Sequence, residues 1–207
     1  MDRDGDIELL ERWCGGDKNA GSQIFRRYFD GIYRFFDNKV EVDANELVQA
    51  TFLACLRGGH QFRGQSSLRT YLYAIARNEL FAYLRKRQRH RNDLDFAELS
   101  LEALGTSPSS YVARGEAQKL LLHALRTLPL EQQLLLELHY WEDMDSTALA
   151  EVMALGEGAV RTRLSRARKT LRERMDAMVD SPLPAHASDD DLDAWARRMR
   201  AQGRPAK

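Results

Sequence analysis

In several long stretches of this chain the apolar side chains recur with helical spacing, so that they share one side of a helix. Ile24, Phe25, Tyr28, Ile32 and Phe35 recur at spacings of one, three, four and three, and Leu68, Tyr71, Leu72, Ile75, Leu80 and Leu84 make a second such stripe. A chain patterned in this way buries one stripe from each of several helices. Composition agrees. Leu and Ala number 53, whereas Val, Ile and Thr together number 18, so helix formers are plentiful and material for a sheet is scarce. The expected fold class is all-α. With 207 residues, 43% of them apolar, there is enough chain for two small helical domains with a core each. No apolar run approaches the roughly 20 residues that cross a bilayer. The start, MDRDGDIELLERW, is acidic where a secretory signal is basic and then apolar. A cytoplasmic protein without membrane insertion is expected.

Charge carries the next constraint. The 31 basic and 31 acidic residues cancel, but they are not mixed evenly. Residues 63–91 hold eight basic side chains against Glu79, and residues 161–174 hold seven against Glu173, giving blocks of +7 and +6 on an otherwise acidic chain. Each block alone also fits a solvated helix face. Two of them suit a polyanion held at two places, because every neutralised phosphate releases condensed counterions. Enzyme chemistry finds no support: there is no phosphate-cradling glycine loop, and His60, His90, His123, His139 and His186 stand apart without a catalytic partner motif. Cys14 and Cys55 form no CxxC pair and read as small core fillers, so no metal or other cofactor is expected.

The chain divides by composition. In the first module, a helix is expected from near Asn19 to near Lys39. A second starts at an Asp43 cap with Glu46 in capping-box position, carries Leu47, Val48, Phe52, Cys55 and Leu56, and stops at Gly58-Gly59. A third is capped by Ser66 or Ser67 and ends in a basic run. Residues 92–111 carry Asp93, Asp95, Glu98 and Glu102 and then GTSPSS, and read as a flexible linker. The second module begins near Val112. Leu120, Leu121, Ala124, Leu125 and Leu128 form one apolar face, and after Pro129 the residues Leu134, Leu135, Leu138 and Trp141 form another. A short helix over Thr147–Met153, capped by Asp145 or Ser146, a turn at Ala154-Leu155-Gly156 and a long basic helix from Glu157 then make a helix-turn-helix. Its inward residues are Leu149, Ala150, Leu155, Val160 and Leu164. A tail from 180 to 207 specifies a short helix between Ser188 and Gly203.

Three stretches together carry a resemblance. ELVQATFLACLRGGHQFRGQSSLRTYLYAIARNELFAYLRKR, LRTLPLEQQLLLELHYWEDM and ALAEVMALGEGAVRTRLSRARKTLRE, in this order, resemble the extracytoplasmic-function sigma factors of bacterial RNA polymerase, over about residues 20–178. The resemblance implies a first domain over 1–91 that binds core polymerase and melts the minus-ten promoter element. It implies a second over 112–179 that reads the minus-thirty-five element, and partners that are core RNA polymerase (β′ clamp coiled coil and β flap), promoter DNA and an anti-sigma factor. It assigns core binding to Glu46, Gln49, Phe52 and Leu56, although Phe52 and Leu56 also fit a core role. It assigns the minus-ten element to Phe62, Arg63, Gly64, Gln65, Ser66, Ser67 and Tyr71, with Arg77, Asn78, Arg85, Lys86 and Arg87 on phosphates. In the long basic helix it assigns Arg161, Thr162, Ser165 and Arg166 to the minus-thirty-five element, with Arg163, Arg168 and Lys169 as phosphate contacts or solvated charges. Four departures stand out: Ala50 replaces a common acid, Tyr71 a Trp, Ala154 the turn glycine, and the tail extends past the family's usual end. The competing reading is a stand-alone helix-turn-helix regulator, which would have no use for the FRGQSS loop or the basic helix after it.

Overall fold

A computed structural model describes residues 3–40, 44–62, 64, 66–88, 94–105 and 116–178. Among them are eight α-helices and a 3-10 turn, so the chain is all-α as expected. They form two units, the first principally on Met1–Asn92 and the second principally on Asp93–Thr106, Tyr111–Ala150 and Leu155–Lys207.

The first unit contains α1 (Arg3–Cys14), α2 (Lys18–Asp37), α3 (Ala44–Gly58), the 3-10 turn Gly59–Gln61 and α4 (Leu68–Arg87). Asp17 starts α2, its carboxylate accepting from the Asn19 and Ala20 amides at 2.9 and 3.2 Å. Arg12, at the end of α1, donates to the same carboxylate at 2.7 Å, and these bonds hold the Asp17 carboxyl below the usual carboxylate range. Ser67 rather than Ser66 caps α4, accepting from the Thr70 amide at 3.0 Å. Asp43, the expected cap of α3, lies outside the described residues.

Ile24, Ile32, Phe36, Val48, Cys55, Leu68, Leu72, Leu80 and Leu84 are fully buried between these helices. Each large apolar side chain among them contributes about 1.5–3 kcal/mol by leaving water. Three positions depart from the expected stripes. Phe25 is 39% exposed, and Tyr71 and Ile75 sit half-buried at the rim of α4 while Tyr73, Ala76 and Phe81 point inward. Helix α1 itself was not expected. It brings Leu9 and Leu10 into the core, together with the carboxylate of Asp6, which accepts from Arg27 and from the hydroxyl of Tyr28 on α2.

The second unit contains α5 (Glu116–Thr127), α6 (Leu130–Tyr140), α7 (Ser146–Met153) and α8 (Glu157–Asp176). Leu121, Leu122, Ala124 and Leu125 face inward from α5, Leu128 from just past its end, and Leu134, Leu135, Leu136 and Leu138 from α6; Leu120 and Trp141 are only half-buried. Val160, Leu164, Ala167, Leu171 and Met175 form the buried stripe of α8.

The stretch read as a linker from 92 to 111 divides. Residues 94–105 pack onto the second unit through Phe96, Leu101 and Leu104, all buried. The carbonyls of Leu99 and Phe96 accept from the amides of Leu130 and Glu131 at 2.9 and 3.1 Å, and the Glu102 amide donates to the Arg126 carbonyl at 3.2 Å. These bonds satisfy backbone groups that the start of α6 and the end of α5 would otherwise leave orphaned, and α6 has no side-chain cap of its own. Acidic composition hid a piece of helix-capping structure. Residues 106–111, the start of the second module at 112–115 and the tail helix expected between Ser188 and Gly203 lie outside the described residues.

Candidate nucleic-acid interface

The loop between α3 and α4 carries an aromatic platform. Phe62 stacks on Tyr71, with ring centroids 4.8 Å apart and planes 27° from parallel. Both rings are half-buried, so part of the platform meets solvent. Burial pushes the Tyr71 phenol above its ordinary value, with smaller contributions from Cys55 and Cys14, so the hydroxyl stays protonated and able to donate. Gly64 adopts φ +66°, a left-handed conformation open to glycine at no steric cost. Ser66 is half-buried. The Ser67 hydroxyl is committed to the α4 cap and to the Thr70 hydroxyl at 2.8 Å, which makes it a support for the loop before it is a contact for a base. Arg63 and Gln65 lie outside the described residues.

Helix α4 interleaves arginines with rings. Arg69 lies over Tyr73 at 5.6 Å, and Arg77 and Arg85 approach Phe81 at 4.7 and 5.9 Å. Guanidinium planes resting on rings keep their charge while losing little freedom on meeting a phosphate. Asn78, Arg85, Lys86 and Arg87 are exposed, and the last three stand in the final turn, where cations also suit the helix dipole. Arg69 was not among the expected contacts, although its i,i+4 spacing to Tyr73 was legible.

On α3, Glu46 and Gln49 are exposed and Leu56 is half-buried. Phe52 is 4% exposed and packs against Phe25, with ring centroids 4.9 Å apart and planes tilted by 48°, so it belongs to the core and Phe25 takes the outer place. Leu53, 52% exposed, is an apolar residue off the stripe of its helix. That mismatch was the signal by which the sequence could have singled it out.

In the helix-turn-helix, Asp145 caps α7, accepting from the Ala148 amide at 2.8 Å. Leu149 is fully buried and Ala150 is 8% exposed. Leu155 is only half-buried. The chain then turns through Ala154 at φ +54°, a left-handed position held by a residue with a β-carbon. Gly156 starts α8 at φ −78° and needs no glycine freedom there. Arg161, Thr162, Ser165 and Arg166 are all exposed, opposite the buried stripe. The Thr162 hydroxyl donates to the Gly158 carbonyl at 3.0 Å, and Arg161 lies 3.8 Å from Glu157.

Two other arginines of α8 are engaged inside the unit. Arg163 donates to Glu131 at 2.7 Å, and Arg168 donates to the Tyr140 hydroxyl at 2.8 Å and lies 3.2 Å from His139 Nε2. They bind α8 to α6. Lys169 is exposed, 3.9 Å from Glu173. Among the described residues no group of His, Cys, Asp and Glu is placed to hold a metal ion, and no helix is long and apolar enough to cross a membrane.

A basic helix following an aromatic loop in one unit, and a helix-turn-helix with an exposed polar and basic face in the other, define a two-module helical DNA-binding protein. Residues 25–90 match the family model for Sigma-70 region 2, and residues 118–171 match that for Sigma-70, region 4. The chain belongs to the sigma-70 family, in its extracytoplasmic-function group, and is a transcription initiation factor of the alternative sigma type. It is 27% identical over 183 residues to the ECF RNA polymerase sigma-E factor of Haemophilus influenzae, covering 84% of this chain and 97% of the relative. It is 32% identical over 170 residues to the ECF RNA polymerase sigma factor BldN of Streptomyces coelicolor, covering 80% of this chain and 64% of that longer relative. In fold it is similar to the sigma factor RpoE solved with the anti-sigma factor NepR from Bartonella quintana, with TM-score 0.58 and 24% identity over 77% of this chain and 98% of that one.

Proposed function

We propose that this sigma factor attaches to core RNA polymerase through the exposed side of α3, opens the minus-ten element with the Phe62 loop and α4, and reads the minus-thirty-five element with the second and third turns of α8. Glu46, Gln49 and Leu56, with Leu53 and Phe25 beside them, form the surface offered to the β′ clamp coiled coil; Phe52 supports it from beneath. The second unit meets the β flap. An unpaired base of the minus-ten element stacks against the Phe62 and Tyr71 platform, which favours the open strand over the duplex because a paired base cannot reach it. Gly64, Gln65 and Ser66 read the base edge, Ser67 fixes the start of α4, and Arg63, Arg77, Asn78, Arg85, Lys86 and Arg87 hold phosphates. On α8, Arg161, Thr162, Ser165 and Arg166 meet base edges or adjacent phosphates in the major groove, while Lys169 remains a phosphate contact.

The observation that supports this reading most is the exposed row Arg161, Thr162, Ser165 and Arg166 on a helix whose opposite side is core, in a chain matched in order by both sigma regions. The protein contributes no catalytic step; the polymerase it recruits makes the RNA. It acts in the cytoplasm, on the nucleoid, and an anti-sigma factor silences it by covering its polymerase-binding surfaces. Run-off transcription with sigma-free core polymerase on a library of promoter fragments tests the reading. Transcripts that depend on the protein are expected. Their absence, with no co-elution with core, would make it a DNA-binding regulator that works without polymerase.

A further inference from the structure

Helix α1 lies ahead of the stretch matched by the region 2 model, which starts at residue 25. Besides packing on α2, it reaches the loop between α3 and α4 at two points. The Cδ1 methyl of Ile7 stands 3.1 Å from where a side chain on Gly64 would begin. Cys14 and Leu10 fill the space over Gly59 in the 3-10 turn, so that a β-carbon there would overlap the Cys14 sulfur, and the Cys14 thiol lies 3.7 Å from the Leu56 carbonyl. The helix is held in place by α2. Asp6, 3% exposed, is held by Arg27 and Tyr28, and the Trp13 ring covers Gly21.

Phe62 lies between Gly59 and Gly64, the two points that α1 touches. A loop pinned at both ends against a fixed helix loses less freedom when a ligand arrives, and its ring is already stacked on Tyr71. We propose that α1 is the strut that shapes the minus-ten loop, and that Ile7 is a positioning residue for the unpaired DNA strand, acting through Gly64 without touching DNA. This rests on the reading of the loop as the minus-ten site.

The test uses the full chain bound to core polymerase and a labelled single-stranded oligonucleotide carrying the minus-ten sequence found by run-off transcription. Binding is compared with oligonucleotides substituted at one base, giving a discrimination ratio. Ile7→Val removes only the methyl over Gly64, and Ile7→Ala removes the rest of the branch. Discrimination should fall about threefold for Ile7→Val and roughly tenfold for Ile7→Ala, a size typical of residues that act on a site without contacting the ligand. Affinity for core and for minus-thirty-five duplex should stay unchanged. Wild-type discrimination in both variants overturns the proposal, as does a loss of core affinity in step with the loss of discrimination, which would mark general unfolding of the first unit. If the unaltered protein on core binds the oligonucleotide no better than a scrambled one, the minus-ten reading itself fails and the role of Ile7 fails with it.

Discussion

A carboxylate buried among helices is expensive unless its lone pairs are filled, and Asp6 fills them with one guanidinium and one phenol. Burial and the neighbouring Asp6 carboxylate push the Tyr28 hydroxyl upward, so it remains a donor across the accessible range. Asp6→Ala strands that hydroxyl inside the unit, and urea unfolding should show a loss of about 2–3 kcal/mol. Asp17 gives a pH signature. Its folded value is lowered, so its contribution is complete above the ordinary carboxylate range and is lost as pH falls through the lowered value. Melting temperatures measured against pH should converge in acid for the native chain and Asp17→Asn, which keeps a capping oxygen without the charge. The cysteines give a chemical one. Burial raises both thiols, Cys55 to about 12, so alkylation of the folded protein near neutral pH should be slow and should accelerate on unfolding.

At the scale of elements, periodicity placed α2, α3, α4 and the helix-turn-helix within a few residues, because each buries a stripe long enough to stand out. It failed where burial does not follow a period. Helix α1 exposes acids and buries one of them, so its sequence reads as a polar start rather than as a helix. Phe96, Leu101 and Leu104 are spaced five and three apart among acids, and only the chain ends of α5 and α6, which they cover, give them a purpose. Leu101→Ala should therefore cost the second unit about 2–5 kcal/mol, as core truncations do, and leave the unfolding of the first unit unchanged. The site was legible to the same degree. Exposure of Arg161, Thr162, Ser165 and Arg166 followed from helical spacing, but the commitment of Arg163 and Arg168 did not, since their partners lie 32 and 28 residues away. Ala154 shows a local cost that the sequence pattern did mark. Ala154→Gly at φ +54° should raise the melting temperature, by an amount equivalent to about 0.5–1 kcal/mol.

At the scale of the molecule, neutrality conceals two cationic blocks, and affinity for promoter DNA should fall steeply with salt. The exposure of Arg166 and Lys169 and the internal bonds of Arg163 and Arg168 predict which charges count. Arg166→Ala should lower the slope of log affinity against log salt by about 1 and relax preference at one promoter position, whereas Lys169→Ala should lower the slope and leave preference intact. Arg168→Ala should instead loosen α8 from α6. On the proposed reading α8 thus has two faces with separate duties, one offered to the groove through Arg161, Thr162, Ser165 and Arg166 and one tied to the fold through Arg163, Arg168 and the buried stripe. Exchanging side chains on the exposed face leaves the stripe of Val160, Leu164, Ala167 and Leu171 untouched. If that face reads the promoter, a new address can be written on this protein without rebuilding the hand that carries it.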